Sequence, residues 1–457
     1  MGTQIKKVFP RTEKNISKTI KLALIEAHRR QELADKNFFN HSNRTCDIEQ
    51  EIRVINRLTG NPVNTESFFE LKKIKVRLDT SVDNLEYDAH GATPLTLNGI
   101  KHLYSSFFKK TRQIQEAITK ENPDAILVPI GVQPLIKTNE WKNFIISNPI
   151  NQIRYKLMEA VVISENINSK MVVVNPNTKE TFVDKASNLS AMTRTSGTQF
   201  HISDSSPLEA IQTYNISIAI APIMIALFGN SPFLGGIDTG RDSNRIEILR
   251  QGEQKRAGLP LPATSIEDYY IKQLAKAEPS FIEIEDQKKA LDLSMSAIHT
   301  VTRIIIDTKN NTIRNEFRHI DSQSPYKSIQ AFLLTLGLIE GLRKKKLPEF
   351  TESQANFKES VWGLKAKMSW LQKDTSAKEL GLWCIELAQN YFLKTEMTEI
   401  AQSFLNPLKK EIMKCQTQAE IIRDYVKKDI DSGMATQEAI VRVLNRMNRE
   451  MLMKSVS

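Results

Sequence analysis

Polar side chains two residues apart recur in three extended segments of this chain. The pairs are Glu49 and Glu51, Gln199 and His201, and Glu316 and Arg318. Residues i and i+2 of a strand project from the same face and lie about 6.6 Å apart along it. The alternate positions carry apolar residues such as Ile48, Ile52 and Phe317, which would face a core. We therefore predict one sheet with an apolar face and a polar face that collects the three pairs.

A face that gathers several carboxylates needs cations between them, because burying like charges together is costly. Glu86, in another extended run, adds a further carboxylate to the glutamates of the three pairs. Oxygen-rich sites with few soft ligands suit Mg²⁺ or Mn²⁺, and these ions in turn bind phosphate oxygens. Each pair taken alone is better explained as an exposed strand face. The set taken together predicts a site for a divalent cation and a phosphate.

Common sequence signatures of nucleotide binding and covalent catalysis are missing. Residues 235–243 (GGIDTGRDS) have the glycine spacing of a phosphate-binding loop, but Arg241-Asp242 replaces the required Lys-Ser/Thr. We find no GxGxxG fingerprint, no GxSxG nucleophile elbow and no Cys/His nucleophile pair. If ATP binds this chain, metal ions and arginines must therefore hold its phosphates.

The composition is that of an ordinary globular protein, since 40% of the 457 residues are hydrophobic and 25% are charged. The net charge of +10 favours anionic partners such as nucleotides, phosphates or nucleic acid, although it is a weak indication alone.

Cys46, Cys384 and Cys415 lie far apart and lack metal-site spacing, which predicts a reducing compartment and a cytoplasmic protein. The apolar run 216–228 is too short to span a bilayer and contains Pro222, so we predict a buried helix.

Strand-like segments are concentrated in residues 46–320, whereas helical spacing dominates both ends of the chain. Because strands and helices do not alternate regularly, the pattern predicts an α+β fold with an antiparallel sheet. Residues 171–174 and 181–183 flank a turn and form a hairpin candidate, and Ser376-x-x-Glu379 is typical of a capping box. The expected regions are a helical N-terminal extension over 1–45, a central domain over 46–345 and a helical C-terminal region over 346–457.

Six short motifs occur in the same order as in the bacterial type of glutamate–cysteine ligase, which the chain therefore resembles. They are Glu49-x-Glu51, Asn84-Leu85-Glu86, the Gly-x-Gln-x-His that ends at His201, Asn230-Ser231-Pro232-Phe233, Ser243-x-Arg245, and Glu316-x-Arg318-x-x-Asp321. Any one motif is weak, but the ordered set is specific, and it covers the central domain. The resemblance implies a catalytic domain built on a curved antiparallel sheet like that of glutamine synthetase, a relative of this carboxylate–amine ligase family.

The resemblance further implies an ATP-dependent ligation, in which a substrate carboxylate is phosphorylated and an amine then displaces the phosphate. Five residues would hold the Mg²⁺ or Mn²⁺ ions that orient and neutralise the phosphates: Glu49, Glu51, Glu86, His201 and Glu316. Arg318, beside Glu316, would contact the transferring phosphoryl group. Arg245 would contact the substrate carboxylate or phosphate, for which a bidentate guanidinium is suited. Gln199, Asn230 and Ser243 would bind substrate or ATP, or support the metal ligands.

Departures from the family pattern leave the two substrates open. Asp47 stands where the family usually has Gly, and Gln133 replaces a common His in a Gly-x-x-Pro turn. Glutamate and cysteine are the leading carboxylate and amine, and another small-molecule acid or amine is the alternative. A homo-oligomer is compatible with this interpretation, and we expect no membrane or nucleic-acid partner.

Two other functions would fit parts of the pattern. The same site could transfer phosphate to an acceptor without forming an amide. A catalytically inactive basic scaffold that binds nucleic acid would use the positive charge of the chain instead. The presence of every acidic residue of the predicted metal site counts against the scaffold.

Overall fold

The computed structural model describes residues 13–36, 44–79, 81–136, 171–174, 181–184, 193–251, 257–277, 298–307 and 312–453. Within these residues one large antiparallel sheet is flanked by helices, so the predicted α+β class is confirmed. The predicted hairpin is also confirmed, because residues 171–174 and 181–184 pair as antiparallel strands.

The strands are β1 (Thr45–Asn56), β2 (Arg77–Leu78), β3 (Asn84–Asp88), β4 (Thr93–Pro94), β5 (Ala125–Val128), β6 (Met171–Val174), β7 (Thr181–Asp184), β8 (Gly197–Asp204), β9 (Phe233–Leu234), β10 (Ile237–Asp238), β11 (Ala257–Gly258), β12 (His299–Thr300), β13 (Thr302–Asp307), β14 (Thr312–Asp321), β15 (Lys367–Trp370) and β16 (Lys373–Ser376). The helices are α1 (Glu13–Lys36), α2 (Phe69–Lys73), α3 (Leu97–Glu121), α4 (Pro207–Phe228), α5 (Asn244–Gln251), α6 (Ile266–Ala277), α7 (Pro325–Leu342), α8 (Phe350–Glu359), α9 (Ala377–Phe392), α10 (Thr398–Met413), α11 (Gln418–Asp431) and α12 (Thr436–Met453), with a 3₁₀ helix at Ser360–Lys365.

The main sheet is organised around β1. Its eight strands run in the order β13-β14-β8-β1-β3-β2, and β4 and β5 also pair with β1. All of these pairings are antiparallel. Because four different strands pair along β1, its polar face meets residues from several distant parts of the chain.

The opposite face of the sheet forms the core. Ile48, Ile52, Phe200 and Phe317 are all fully buried there. Phe332 of α7 packs edge-on against Phe200, with ring centroids 5.8 Å apart. This burial fixes the strand register, since a shift by one residue would turn the apolar side chains of a strand outward and its polar side chains into the core.

α4 lies within this core. Its first turn is capped by Ser206, whose hydroxyl accepts a 3.1 Å hydrogen bond from the backbone N–H of Glu209. The helix is long and apolar enough to cross a bilayer. However, 89% of its most apolar 18-residue stretch is buried inside the protein. A helix that is apolar on all sides is suited to such an enclosed position. The prediction of a buried helix in this segment is confirmed.

The C-terminal helices share a core with the sheet. Ile440 and Leu444 of α12 lie in one apolar cluster with Ile55 of β1 and Val128 of β5. At the start of α9, Ser376 and Glu379 form the predicted capping box. Helices beyond residue 345 therefore support the strand on which the polar face is built.

The last turn of α12 offers a direct test of this packing. Met451 is 2% exposed, whereas Met453 is 75% exposed. We expect Met451→Ala to lower the free energy of unfolding by about 2–5 kcal/mol, because it removes buried methylene groups and leaves a cavity. The matched control Met453→Ala should change it by less than about 0.5 kcal/mol. Urea denaturation measures both, and equal losses would contradict the packing.

Candidate active site

One row of polar side chains crosses four strands of the main sheet. Glu316 of β14 lies opposite Arg303 of β13 on one side and His201 of β8 on the other. His201 in turn lies opposite Asp47 of β1. Residues directly opposite each other in an antiparallel pair project from the same face. The row therefore places two carboxylates, a guanidinium and an imidazole side by side.

A second group of carboxylates lies beside this row. Glu51 is opposite Glu86 of β3, and Glu49 is opposite Gln199 of β8. The Nε2 atom of His201 is 3.8 Å from Oε2 of Glu49, which joins the two groups. The structure thus brings all five residues of the predicted metal site together on one face.

Glu51 is held in place by neutral donors. Its Oε2 accepts a 2.7 Å hydrogen bond from the backbone N–H of Gly197, and its Oε1 accepts a 2.8 Å bond from Nε2 of Gln199. Burial, followed by the nearby carboxylate of Asp79, raises the pKa of Glu51 to about 7 against the opposing effect of two arginines. In this structure, Gln199 therefore orients a carboxylate of the candidate site.

Glu86 lies where negative charge is most crowded. Burial, followed by the carboxylates of Glu49 and Asp79, raises the pKa of Glu86 to about 9. Arg77 opposes this shift, since its Nε atom is 2.8 Å from Oε1 of Glu86. One guanidinium does not offset the neighbouring acids, so Glu86 keeps its proton at neutral pH unless further positive charge is added beside it.

Glu316 is in the reverse situation, because two arginines contact it. The Nε atom of Arg303 donates a hydrogen bond to Oε2 of Glu316, and Nη1 of Arg318 is 3.4 Å from its Oε1. Burial would raise the pKa of Glu316, but the two guanidiniums, together with His201, lower it to about 2. The charge of Glu316 is therefore balanced by the protein itself.

Arg245 presents donors that no described residue accepts. Its buried guanidinium donates a 3.0 Å hydrogen bond from Nη2 to the backbone oxygen of Arg318, while Nε and Nη1 lack partners in the described structure. Glycine at position 197 makes room for it, because a Cβ atom there would lie 2.5 Å from Nη2. A guanidinium with free donors suits an anionic group with two oxygens, such as a carboxylate or a phosphate.

Asn230 and Ser243 lie in the same region, but their polar atoms bond within the protein. Nδ2 of Asn230 donates to two backbone oxygens at 2.9 and 2.6 Å, and its Oδ1 accepts from the backbone N–H of Gly131. The hydroxyl of Ser243 donates a 2.8 Å hydrogen bond to Oδ1 of Asp321. These bonds tie the loop before α5 to the end of β14. A direct contact of either residue with substrate or ATP remains a prediction.

The C-terminal helices hold the same loop from the other side. Arg423 of α11 donates from Nη1 to Oδ1 of Asp242 at 2.6 Å and from Nε to Oδ1 of Asp238 at 3.0 Å. The hydroxyl of Thr417 donates to the second oxygen of Asp242 at 2.9 Å. Arg245, which follows this loop, is therefore positioned in part by helices distant in sequence.

The sequence analysis missed several charged residues of this face, among them Arg77, Asp79 and Arg303. Arg77 and Asp79 are themselves two residues apart in a segment predicted to be extended. The same i, i+2 spacing that indicated the other pairs would therefore also have indicated this one. Arg303 stands alone among apolar neighbours in TRIIID, and only its pairing with Glu316 reveals its place.

This chain belongs to the glutamate-cysteine ligase family 2, whose sequence model matches residues 45–446. A relative from Rubrobacter xylanophilus, named a putative glutamate–cysteine ligase 2-1, is 41% identical over 64 residues. That match spans only 14% of this chain and 16% of the relative, so it covers a small part of either protein. The family that the ordered motifs predict is confirmed.

Two solved structures share the fold. The glutamate–cysteine ligase of Francisella tularensis in complex with AMP aligns with a TM-score of 0.59 and 12% identity, over 91% of this chain and 90% of that one. A bifunctional glutathione synthetase from Pasteurella multocida aligns with a TM-score of 0.55 and 10% identity, over 94% of this chain and 55% of that one. At these identities the likeness shows a shared fold, and it confirms the predicted curved antiparallel sheet.

The raised pKa of Glu86 predicts how stability depends on pH. The folded protein keeps the Glu86 proton up to a pKa of about 9, well above the ordinary value of 4.5. Between these values the folded state binds more protons than the unfolded state, so the free energy of unfolding falls as pH rises. In metal-free buffer we expect Glu86→Gln to reduce this fall and to be more stable than the wild type at about pH 8.

Urea denaturation at several pH values measures the effect. Glu386→Gln, at an exposed ion pair with Lys409, controls for the loss of a surface glutamate. A steeper fall of stability with pH in Glu86→Gln than in the wild type would contradict the prediction.

Proposed function

We propose that this protein is an ATP-dependent ligase that joins a carboxylate to an amine through an acyl phosphate. One observation supports this most directly. The five acidic and imidazole side chains of the predicted metal site share one sheet face, and near one of them, Glu51, lies Arg245, which has two buried donors that no described residue accepts. The acids suit the divalent cation that accompanies ATP, and the arginines suit the anionic groups that react. Family membership agrees with this proposal.

The residues of this face fit a divalent cation in charge and donor type. Among the described residues, no three His, Cys, Asp or Glu side chains already converge as a complete metal site. However, Glu49, Glu51 and Glu86 crowd together, and a bound Mg²⁺ or Mn²⁺ would neutralise them. Such an ion supplies positive charge that orients phosphate oxygens. We propose these three glutamates and His201 as its main ligands, with Glu316 contributing least because arginines already balance it.

The proposed reaction has two steps. A carboxylate oxygen of the acid bonds to the γ-phosphorus of ATP while the bond to ADP breaks. The amine nitrogen then bonds to the acyl carbon, phosphate leaves, and the amine loses a proton. Arg245 would bind the reacting carboxylate or the phosphate through Nε and Nη1, and Arg318 would contact the transferring phosphoryl group. Guanidiniums held in place by the fold stabilise developing charge without having to reorient.

Glutamate and cysteine are the acid and the amine that we propose. The family and the Francisella tularensis enzyme of like fold are both named for this pair. Both substrates are small molecules. The three cysteines of the chain are free, which supports a location in a reducing compartment such as the cytoplasm.

Transfer of a labelled oxygen from the substrate carboxylate to phosphate tests whether an acyl phosphate forms. The protein is incubated with ATP, Mg²⁺, cysteine and glutamate labelled with ¹⁸O in its side-chain carboxylate. One labelled oxygen should appear in inorganic phosphate for each amide formed, because the carboxylate oxygen bonds to phosphorus. Mass spectrometry of phosphate and of the amide measures both, and a panel of other acids and amines extends the search for substrates.

Other outcomes would favour other functions. ADP release without any amide would indicate phosphotransfer. Unlabelled phosphate would indicate attack by water on ATP. No turnover with any acid or amine, together with tight binding of RNA, would contradict a ligase and favour the basic scaffold.

Removing one carboxylate charge from the face should abolish turnover. Glu51→Gln and Glu316→Gln both keep the side-chain size. Glu51→Gln should unfold close to the wild type, whereas Glu316→Gln should still fold but with lower stability, because Arg303 and Arg318 lose the charge of their common partner. We expect kcat/KM for ATP-dependent amide formation to fall by at least about 100-fold in each variant. Glu386→Gln again serves as the surface control. Near-normal rates in both site variants would show that the reacting groups lie elsewhere.

A further inference from the structure

Arg77 contacts three carboxylates at the edge of the polar face. Its Nε atom is 2.8 Å from Oε1 of Glu86, and its Nη2 atom is 3.4 Å from Oδ1 of Asp88 and 4.0 Å from Oε2 of Glu49. Two of these carboxylates belong to the proposed metal site. The guanidinium therefore lies beside the oxygens that a bound cation would use.

We propose that Arg77 is a displaceable counter-ion of the metal site. It contacts Glu49 and Glu86 when no cation is bound, and it withdraws when a divalent cation binds to them. This inference rests on the proposed role of these glutamates as metal ligands.

The position of Arg77 makes withdrawal easy. Its side chain is 54% exposed and projects from β2, a strand of two residues at the edge of the sheet. By contrast, Arg303 is only 27% exposed where it contacts Glu316, although β13 is also an edge strand of the sheet. An exposed arginine can turn into solvent and regain its hydration, and exposed ion pairs contribute little to stability. Arg77 can therefore leave the acids without disturbing the core.

A divalent ion bound to these carboxylates would compete with the guanidinium, because Nε of Arg77 already lies 2.8 Å from Oε1 of Glu86. A divalent ion between Glu49 and Glu86 would lie close to the guanidinium, and like charges at such a distance repel strongly in a partly buried site. Arg77 consequently lowers the affinity of the site for metal. The same contact protects the metal-free protein from repulsion among its own carboxylates.

Mn²⁺ binding without ATP tests this competition. The electron paramagnetic resonance signal of free Mn²⁺ gives the Kd for the wild type and for Arg77→Gln. We expect Arg77→Gln to bind Mn²⁺ about tenfold more tightly, because one repelling charge is removed. Arg57→Gln is the matched control, since Arg57 is 51% exposed and pairs with Asp124 at 2.9 Å, after the end of β1. Its Kd should equal that of the wild type.

Thermal unfolding gives a second readout that needs no turnover. In excess chelator, Arg77→Gln should unfold at a slightly lower temperature than the wild type, because Glu49 loses a nearby positive charge. In saturating Mn²⁺ this difference should vanish or reverse. Arg57→Gln should show the same small difference under both conditions.

Three results would overturn the proposal. Weaker Mn²⁺ binding in Arg77→Gln would show that Arg77 positions the ligands, and unchanged binding would show that it does not compete. In either case the wild type still binds Mn²⁺, so the proposed ligase chemistry is unaffected. Failure of the wild type itself to bind Mn²⁺ would remove the proposed metal site together with this inference.

Discussion

Carboxylates that are buried together need positive charge beside them, and the architecture of the polar face follows from this constraint. On the β14 side, Arg303 and Arg318 flank Glu316 and keep it ionised. On the β3 side, Arg77 faces several acids, and the pKa of Glu86 is raised. One half of the face is therefore balanced by the protein, and the other half is suited to an added cation.

The rest of the fold holds these charges at short distances. The buried apolar face fixes the register of β1, β8 and β14, and thus the distances between charges on the polar face. Asp321 and Arg423 hold the loop before Arg245 from two sides. Two buried donors of Arg245 have no acceptor in the described part of the chain, which is costly unless a ligand accepts them. The scaffold thus maintains an arrangement that would be unfavourable in isolation.

Local patterns in the sequence predict much of the fold and of the polar face. Strand alternation placed Glu49, Glu51 and His201 on a polar face, because side chains in a strand point to alternate sides whatever the fold. The apolar length of α4 indicated a buried helix, and Ser376 with Glu379 indicated a helix start. The order of six motifs predicted the family to which the chain belongs.

The sequence by itself therefore determined which side chains of a strand share one face, where some helices start, and the family. Only the tertiary structure decided which strands are neighbours, and so which charges meet. Arg303 pairs with Glu316, and Arg77 with Glu86, through strand register. The amide of Asn230, part of one of the six motifs, donates to two backbone oxygens, and the sequence alone did not predict these partners. Charge balance and hydrogen-bond partners depend on distances between residues far apart in the chain, and those distances exist only after the sheet has formed.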